Sequence, residues 1–155
     1  MTASFTFDIF SSLDGYSNST SFGGYFGKQG PEFLEHRLGQ FGEPQRLILG
    51  ANTFRGMAGM LASVAEHPEV LDPWVTRMWN LPTTVVSNTL DVGVGPGTTV
   101  VQALDAGLLT ELRLDLVPVT LGSGTPMLEG LTTQHTFADP RTIAGIGVTH
   151  LIYDI

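Results

Sequence analysis

The run Arg46-Leu47-Ile48-Leu49 ends at Gly50, and a helix-forming stretch from about Thr53 to Val64 follows almost at once. A short apolar run bounded by glycine reads as a buried strand. A buried strand feeding straight into a helix is the building unit of an α/β fold. The pattern recurs. Thr83 to Ser87 (TTVVS) reads as a strand, and Val92 to Gly95 is a short apolar stretch entering a glycine turn. A helix over Gly97 to Ala106 is then stopped by Gly107. Earlier, Phe5 to Ser12 alternates and is aromatic, Leu13 to Tyr16 turns, and residues 17–30 form a loop rich in Ser, Asn and Gly. Pro31 opens a helix through about Leu38, with Gly39 ending it. Asp72 caps a short helix with Pro73 at its first position and Trp74 and Met78 on one face.

The last third is different. Glu111 to Val119 sets Leu112, Leu114 and Leu116 against Arg113 and Asp115, the alternation of a half-buried strand. Leu131 to Phe137 and Ile146 to Tyr153 supply closing strands, read as antiparallel. Together these elements predict a mostly parallel central sheet, helices on both faces and a C-terminal antiparallel hairpin. At 155 residues the chain suits a single domain over 1–155.

Composition excludes several function classes. With 15 acidic and 7 basic residues the net charge is −8, and the cations are scattered. No basic stripe is present for a nucleic-acid backbone. A chain without cysteine has no disulfide, thiolate metal site or cysteine nucleophile. His36, His67, His135 and His150 lack metal-ligand spacing and read as surface or capping residues, so no metal is expected. No apolar run reaches the ~20 residues of a membrane helix. No signal peptide is visible at Met1-Thr2-Ala3-Ser4, and the expected location is cytoplasmic.

Two junctions carry the candidate chemistry. At Gly50-Ala51-Asn52-Thr53 the free N–H groups of a helix start favour an anion, Gly50 admits a phosphate to the backbone, and Thr53 offers a hydroxyl. Read alone, the stretch is more simply a tight turn with Asn52 or Thr53 as N-cap. At Val92-Gly93-Val94-Gly95-Pro96-Gly97-Thr98-Thr99, Gly95 and Gly97 clear space for a pyrophosphate and Thr98 and Thr99 add donors. Neither junction has the G-x-G-x-x-G spacing of a Rossmann turn or the Gly-Lys-Ser/Thr of a Walker loop. Ligands collect at the carboxyl ends of strands in such folds, so two junctions weigh more than one. Asp14-Gly15, an ordinary turn pair, ends the first strand.

The order of the pieces carries a resemblance. Ser12-Leu13-Asp14-Gly15-Tyr16, Leu47-Ile48-Leu49-Gly50-Ala51-Asn52-Thr53-Phe54, Val85-Val86-Ser87-Asn88-Thr89-Leu90, Gly95-Pro96-Gly97, Ala106-Gly107-Leu108-Leu109-Thr110-Glu111-Leu112 and Pro118-Val119-Thr120-Leu121-Gly122-Ser123-Gly124 follow one another along nearly the whole chain. In this order they resemble the RibD C-terminal domain family, which is related to dihydrofolate reductase. The resemblance implies a dihydrofolate reductase-like three-layer αβα sandwich and an NADPH-dependent reductase, with a role in riboflavin biosynthesis. It implies a homodimer acting on a small heterocyclic, carbonyl or imine substrate. Gly50, Ala51, Asn52, Thr53, Ser87, Asn88, Gly95, Gly97, Thr98 and Thr99 become the cofactor set, and Asp14 the catalytic candidate at the nicotinamide edge. Ala51 stands where the family usually has an Arg for the 2′-phosphate, so NADH is not excluded. Only Asn88 to Asp91 separates two strands that the fold would make parallel neighbours, whereas such a crossover takes a dozen residues or more. A strand–helix unit of roughly 20–30 residues is therefore expected to be missing near Leu90 and Asp91. A non-catalytic, dimeric, ligand-binding member of the same fold is the alternative.

Overall fold

The computed structural model describes residues 4–18, 28, 30–64, 72–86 and 100–155. They fall into two compact units, one of Met1–Phe33 with Val100–Ile155 and one of Leu34–Thr99. The expected missing unit near Leu90 and Asp91 lies outside the described residues, as does the short strand expected at Val92.

The first unit is built on a four-stranded sheet of order β1-β5-β8-β7. Strand β1 is Thr6–Ser11, β5 is Glu111–Leu116, β7 is Arg141–Ala144 and β8 is Thr149–Asp154. Strands β1 and β5 are parallel, with Thr6 opposite Glu111 and Ser11 opposite Leu116. Strand β8 runs antiparallel to both β5 and β7. The sheet is thus mixed, where the alternation of elements predicted a mostly parallel one. The expected C-terminal hairpin is present, but its first strand is Arg141–Ala144 and not Leu131–Phe137. The reason is local. Asp105 takes the backbone N–H of Thr132 at 3.1 Å, its hydroxyl at 2.7 Å and the His135 ring at 2.9 Å, which diverts this Thr-rich stretch from a ladder.

Register assigns the faces. Phe7, Ile9, Leu112, Leu114, Leu151 and Tyr153 share one, and Asp8, Phe10, Arg113, Asp115 and His150 share the other. The second face is not simply solvated, because Asp115 and His150 are both buried. A two-stranded ribbon pairs β2 (Tyr16–Asn18), in a stretch expected to be turn and loop, with β6 (Thr125–Pro126). Helix α4, Val100–Asp105, buries Leu104 and closes as expected at Gly107, whose φ is +65°. There the Gly107 N–H donates to Leu104 and the Leu108 N–H to Ala103, the paired bonds of a Schellman ending.

Helix α1, Pro31–Gln40, starts in the first unit and ends in the second. It runs through Gly39, which has an ordinary φ. The second unit contains a parallel pair, β3 (Leu47–Gly50) with β4 (Thr83–Val86), joined through helices α2 (Ala51–Val64) and α3 (Pro73–Trp79). Asp72 holds the N-cap position of α3 but makes no side-chain cap bond; Pro73 follows as expected. Val75 and Met78 are buried, and Trp74 stacks on Phe41 at 5.8 Å. The Arg37 guanidinium lies 5.5 Å from the Trp74 ring, a cation–π contact, and Trp79 stacks on Phe54 at 5.6 Å. These aromatics pack the unit.

Candidate functional site

In the second unit, β3 passes into α2 with no residue between Gly50 and Ala51. The helix begins two residues earlier than expected, so Asn52 and Thr53 lie in its first turn and are not caps. The N–H groups of Ala51, Asn52 and Thr53 are therefore first-turn donors with no acceptor one turn back. Gly50, Asn52 and Thr53 are exposed, and a Cβ built on Gly50 would meet nothing within 4 Å. The backbone here is open to an approaching group. The Arg55 guanidinium donates back to Asn52 Oδ1 at 3.1 Å, which holds a cation at the first turn although Ala51 carries none. Exposed donors, a hydroxyl, the positive end of the helix and a nearby cation fit a phosphate group. Ser87, Asn88, Gly95, Gly97, Thr98 and Thr99 lie outside the described residues.

In the first unit, β1 ends in a tightly bonded turn. The Ser12 N–H donates to the Tyr16 carbonyl at 2.9 Å, and the Tyr16 N–H donates to Ser12 Oγ at 3.0 Å. Ser12 Oγ in turn donates to Asp14 Oδ1 at 2.6 Å. Asp14 reaches across to the loop after β5, accepting from the Gly122 N–H at 2.7 Å and the Leu121 N–H at 3.1 Å. The Ser12 hydroxyl, then the Gly122 and Leu121 amides, stabilise the ionised form and hold the Asp14 pKa at about 2. Near neutral pH this carboxylate has no proton to donate. Its evident work is to tie two strand exits together.

Beside that turn lies a cleft of about 280 Å³ lined by Leu13, Leu116, Pro118, Gly145, Gly147 and Thr149. It sits past the carboxyl ends of the parallel strands β1 and β5, where α/β sheets commonly place ligands. Its far wall is the turn between β7 and β8. Gly147 has φ +92°, and a Cβ there would lie 2.3 Å from the Lys28 carbonyl oxygen. Only glycine permits that approach.

Sequence reasoning missed one feature a rung away from the cleft. His150, expected to be a surface or capping residue, is 1% exposed, and its Nδ1 bonds to Oδ1 of Asp115, directly opposite on β5. Its ring also stacks on Phe33 at 5.2 Å. The neighbouring rung, Leu116 opposite Thr149, lines the cleft. Read against the neighbouring alternation, an Asp on a polar strand face looked solvated; its register with a His was the signal available, and it required the strand pairing.

No helix among the described residues is long and apolar enough to cross a membrane. No group of metal-ligating side chains occurs among them either. No protein-family model matches the sequence, and no curated protein does. Solved structures do match. A Shewanella sp. PV-4 protein with a provisional riboflavin biosynthesis designation aligns at TM-score 0.62 and 18% identity, over 96% of this chain and 97% of that one. RibD of Acinetobacter baumannii aligns at TM-score 0.58 and 14% identity over 96% of this chain, which spans 57% of that protein. A pyrimidine reductase-like protein of Corynebacterium diphtheriae aligns at TM-score 0.55 and 13% identity, over 96% and 90% of the two chains. The chain thus has a mixed α/β fold shared with RibD and with riboflavin-biosynthesis and pyrimidine reductase-like proteins.

Proposed function

We propose that the chain is a nicotinamide-dependent reductase of the RibD C-terminal type, with the three-layer dihydrofolate reductase-like arrangement of that family. The observation that carries the reading is the direct passage of β3 into α2 at Gly50, with its open first turn, in a chain that shares the fold of RibD. Gly50, Ala51, Asn52 and Thr53, with Arg55, would hold phosphate groups of NADPH, and Ser87, Asn88, Gly95, Gly97, Thr98 and Thr99 complete the proposed set. When bound, a reduced nicotinamide supplies a hydride. The chain's own part is to bind, orient and exclude water, since hydride transfer places few covalent demands on side chains. Asp14, bonded to Ser12, Leu121 and Gly122, acts as a positioning residue that ties the two strand exits together. The acceptor is a small molecule, and the working unit is a homodimer.

Fluorescence titration of the folded protein with NADPH and NADH tests the reading. Micromolar NADPH binding that weakens in Gly50→Ala is the expected result. Binding of neither nucleotide overturns it and leaves the non-catalytic alternative.

A further inference from the structure

We infer that the Asp14–Gly15 peptide is a covalent modification site, able to close to a succinimide and reopen as an isoaspartyl linkage, and that the hydrogen bonds on Asp14 hold it in the aspartyl form. The inference does not rest on the reductase reading. Asp14 is the one Asp or Asn in the sequence that a glycine follows. The reaction needs the backbone nitrogen of the next residue to reach the side-chain carboxyl carbon, and glycine has no Cβ to obstruct that approach. Asp14 is exposed, and Gly15 stands in the turn at φ +84°.

The step balances through one water. The Gly15 nitrogen attacks Cγ of the protonated Asp14 carboxyl. The N–Cγ bond forms, the amide proton leaves, and one carboxyl oxygen departs as water. Nothing is oxidised or reduced. Water then reopens the ring. Addition at Cγ breaks the new bond and restores Asp14. Addition at the Asp14 main-chain carbonyl carbon breaks its bond to the Gly15 nitrogen. The chain then runs through Cβ and Cγ, with a free carboxylate on Cα.

The folded turn withholds both reactants. Asp14 Oδ1 accepts from the Ser12 hydroxyl at 2.6 Å and the Leu121 N–H at 3.1 Å, and Oδ2 accepts from the Gly122 N–H at 2.7 Å. These bonds fix the carboxyl on the loop after β5. They also favour its ionised form, which cannot release an oxygen as water. Gly15 is held on both sides: its N–H donates to the Ser12 carbonyl at 3.1 Å, and its carbonyl accepts from the Met127 N–H at 2.9 Å. Ring closure has to turn the Asp14 side chain onto its own backbone, so the clamp must open first. The isoaspartyl product carries one more main-chain carbon between residues 14 and 15 and a side chain one carbon shorter. The spacing that brings the carboxylate to Leu121 and Gly122 is then lost. Conversion thus releases the tie between the two strand exits.

The full chain is incubated in mildly acidic buffer, folded and in urea. Residue 14 is read by peptide mapping with a protease that cuts at aspartyl but not isoaspartyl residues, and by enzymatic methylation of isoaspartate. Isoaspartate should build up at residue 14 in urea, and at least ~10-fold more slowly in the folded chain. Ser12→Ala should keep the parent's circular dichroism and convert at least ~5-fold faster than the folded parent. Folded conversion at the urea rate overturns the inference. So does absence of isoaspartate in urea, or a folded Ser12→Ala that converts no faster than the parent. Should Ser12→Ala fail to fold, the parent decides. In sub-denaturing urea its conversion should rise in step with amide exchange at Leu121 and Gly122, and conversion while those amides stay protected overturns the inference. The purified isoaspartyl form should exchange the same two amides faster than the parent; unchanged exchange overturns the release of the tie.

Discussion

The turn after β1 and the junction after β3 are both exits from parallel strands, yet they treat their polar groups in opposite ways. After β1, Ser12, Asp14 and Tyr16 bond to one another and to Leu121 and Gly122. After β3, the first helical turn carries backbone donors with no acceptor one turn back, and Arg55 bonds back to Asn52. An exit that satisfies its own polar groups is a fixed edge; an exit that leaves donors open invites a ligand to satisfy them. Asp14 is thus part of a fixed edge, whereas the start of α2 is open to a ligand.

The largest expected effect is at the far wall of the cleft beside the fixed edge. Gly147→Ala places a Cβ 2.3 Å from a backbone carbonyl oxygen in a residue at φ +92°. It should cost at least ~3 kcal/mol in urea denaturation, since both the clash and the backbone strain oppose it. A loss under ~1 kcal/mol would show that Lys28 is not held against this turn.

Next comes the pH dependence of the clamp. The folded pKa of Asp14, about 2, lies below its ordinary value of 3.8. The clamp therefore contributes fully above the ordinary value and is lost as pH falls through the folded one. Asp14→Asn should lower thermal stability at neutral pH, and the difference from the parent should shrink as pH falls between about 4 and 2. A difference that persists unchanged below that window would mean the charge is not the stabilising feature.

The same contrast explains what was readable from sequence. Strand–glycine–helix junctions are local, so β3, α2, the Pro73 start of α3 and the Gly107 stop were legible from spacing and residue type. The mixed sheet was not, because β8 enters beside β5 through pairings between distant residues. The buried Asp115–His150 rung was hidden for the same reason: its partners are 35 residues apart and meet only through strand register. The open turn at Gly50 was legible, although its start was displaced to Ala51. The committed role of Asp14 was not, since its acceptor bonds come from amides more than 100 residues away.

On the open side, Gly50→Ala is the sharper probe because the site has room. A Cβ there meets nothing within 4 Å, so stability should fall by less than ~1 kcal/mol. NADPH affinity should nonetheless drop about 10-fold, because the methyl occupies the approach to the first-turn donors. Loss of affinity together with several kcal/mol of stability would assign Gly50 to packing instead.

The smallest effect concerns the choice between dinucleotides. Ala51 puts no cation in the first residue of α2, while Arg55, one turn on, is drawn back to Asn52. Ala51→Arg adds a guanidinium beside these donors, where it can engage a 2′-phosphate in a forked geometry. The site is exposed, so screening limits the gain. Titration at low ionic strength should show NADPH affinity rising about 3- to 10-fold with NADH little changed, and the gain should fade with added salt. An equal gain for both nucleotides would place the new cation on the shared pyrophosphate. No gain for either would mean that the ribose of the bound dinucleotide does not lie near the start of α2, and the open junction would then serve some other anion.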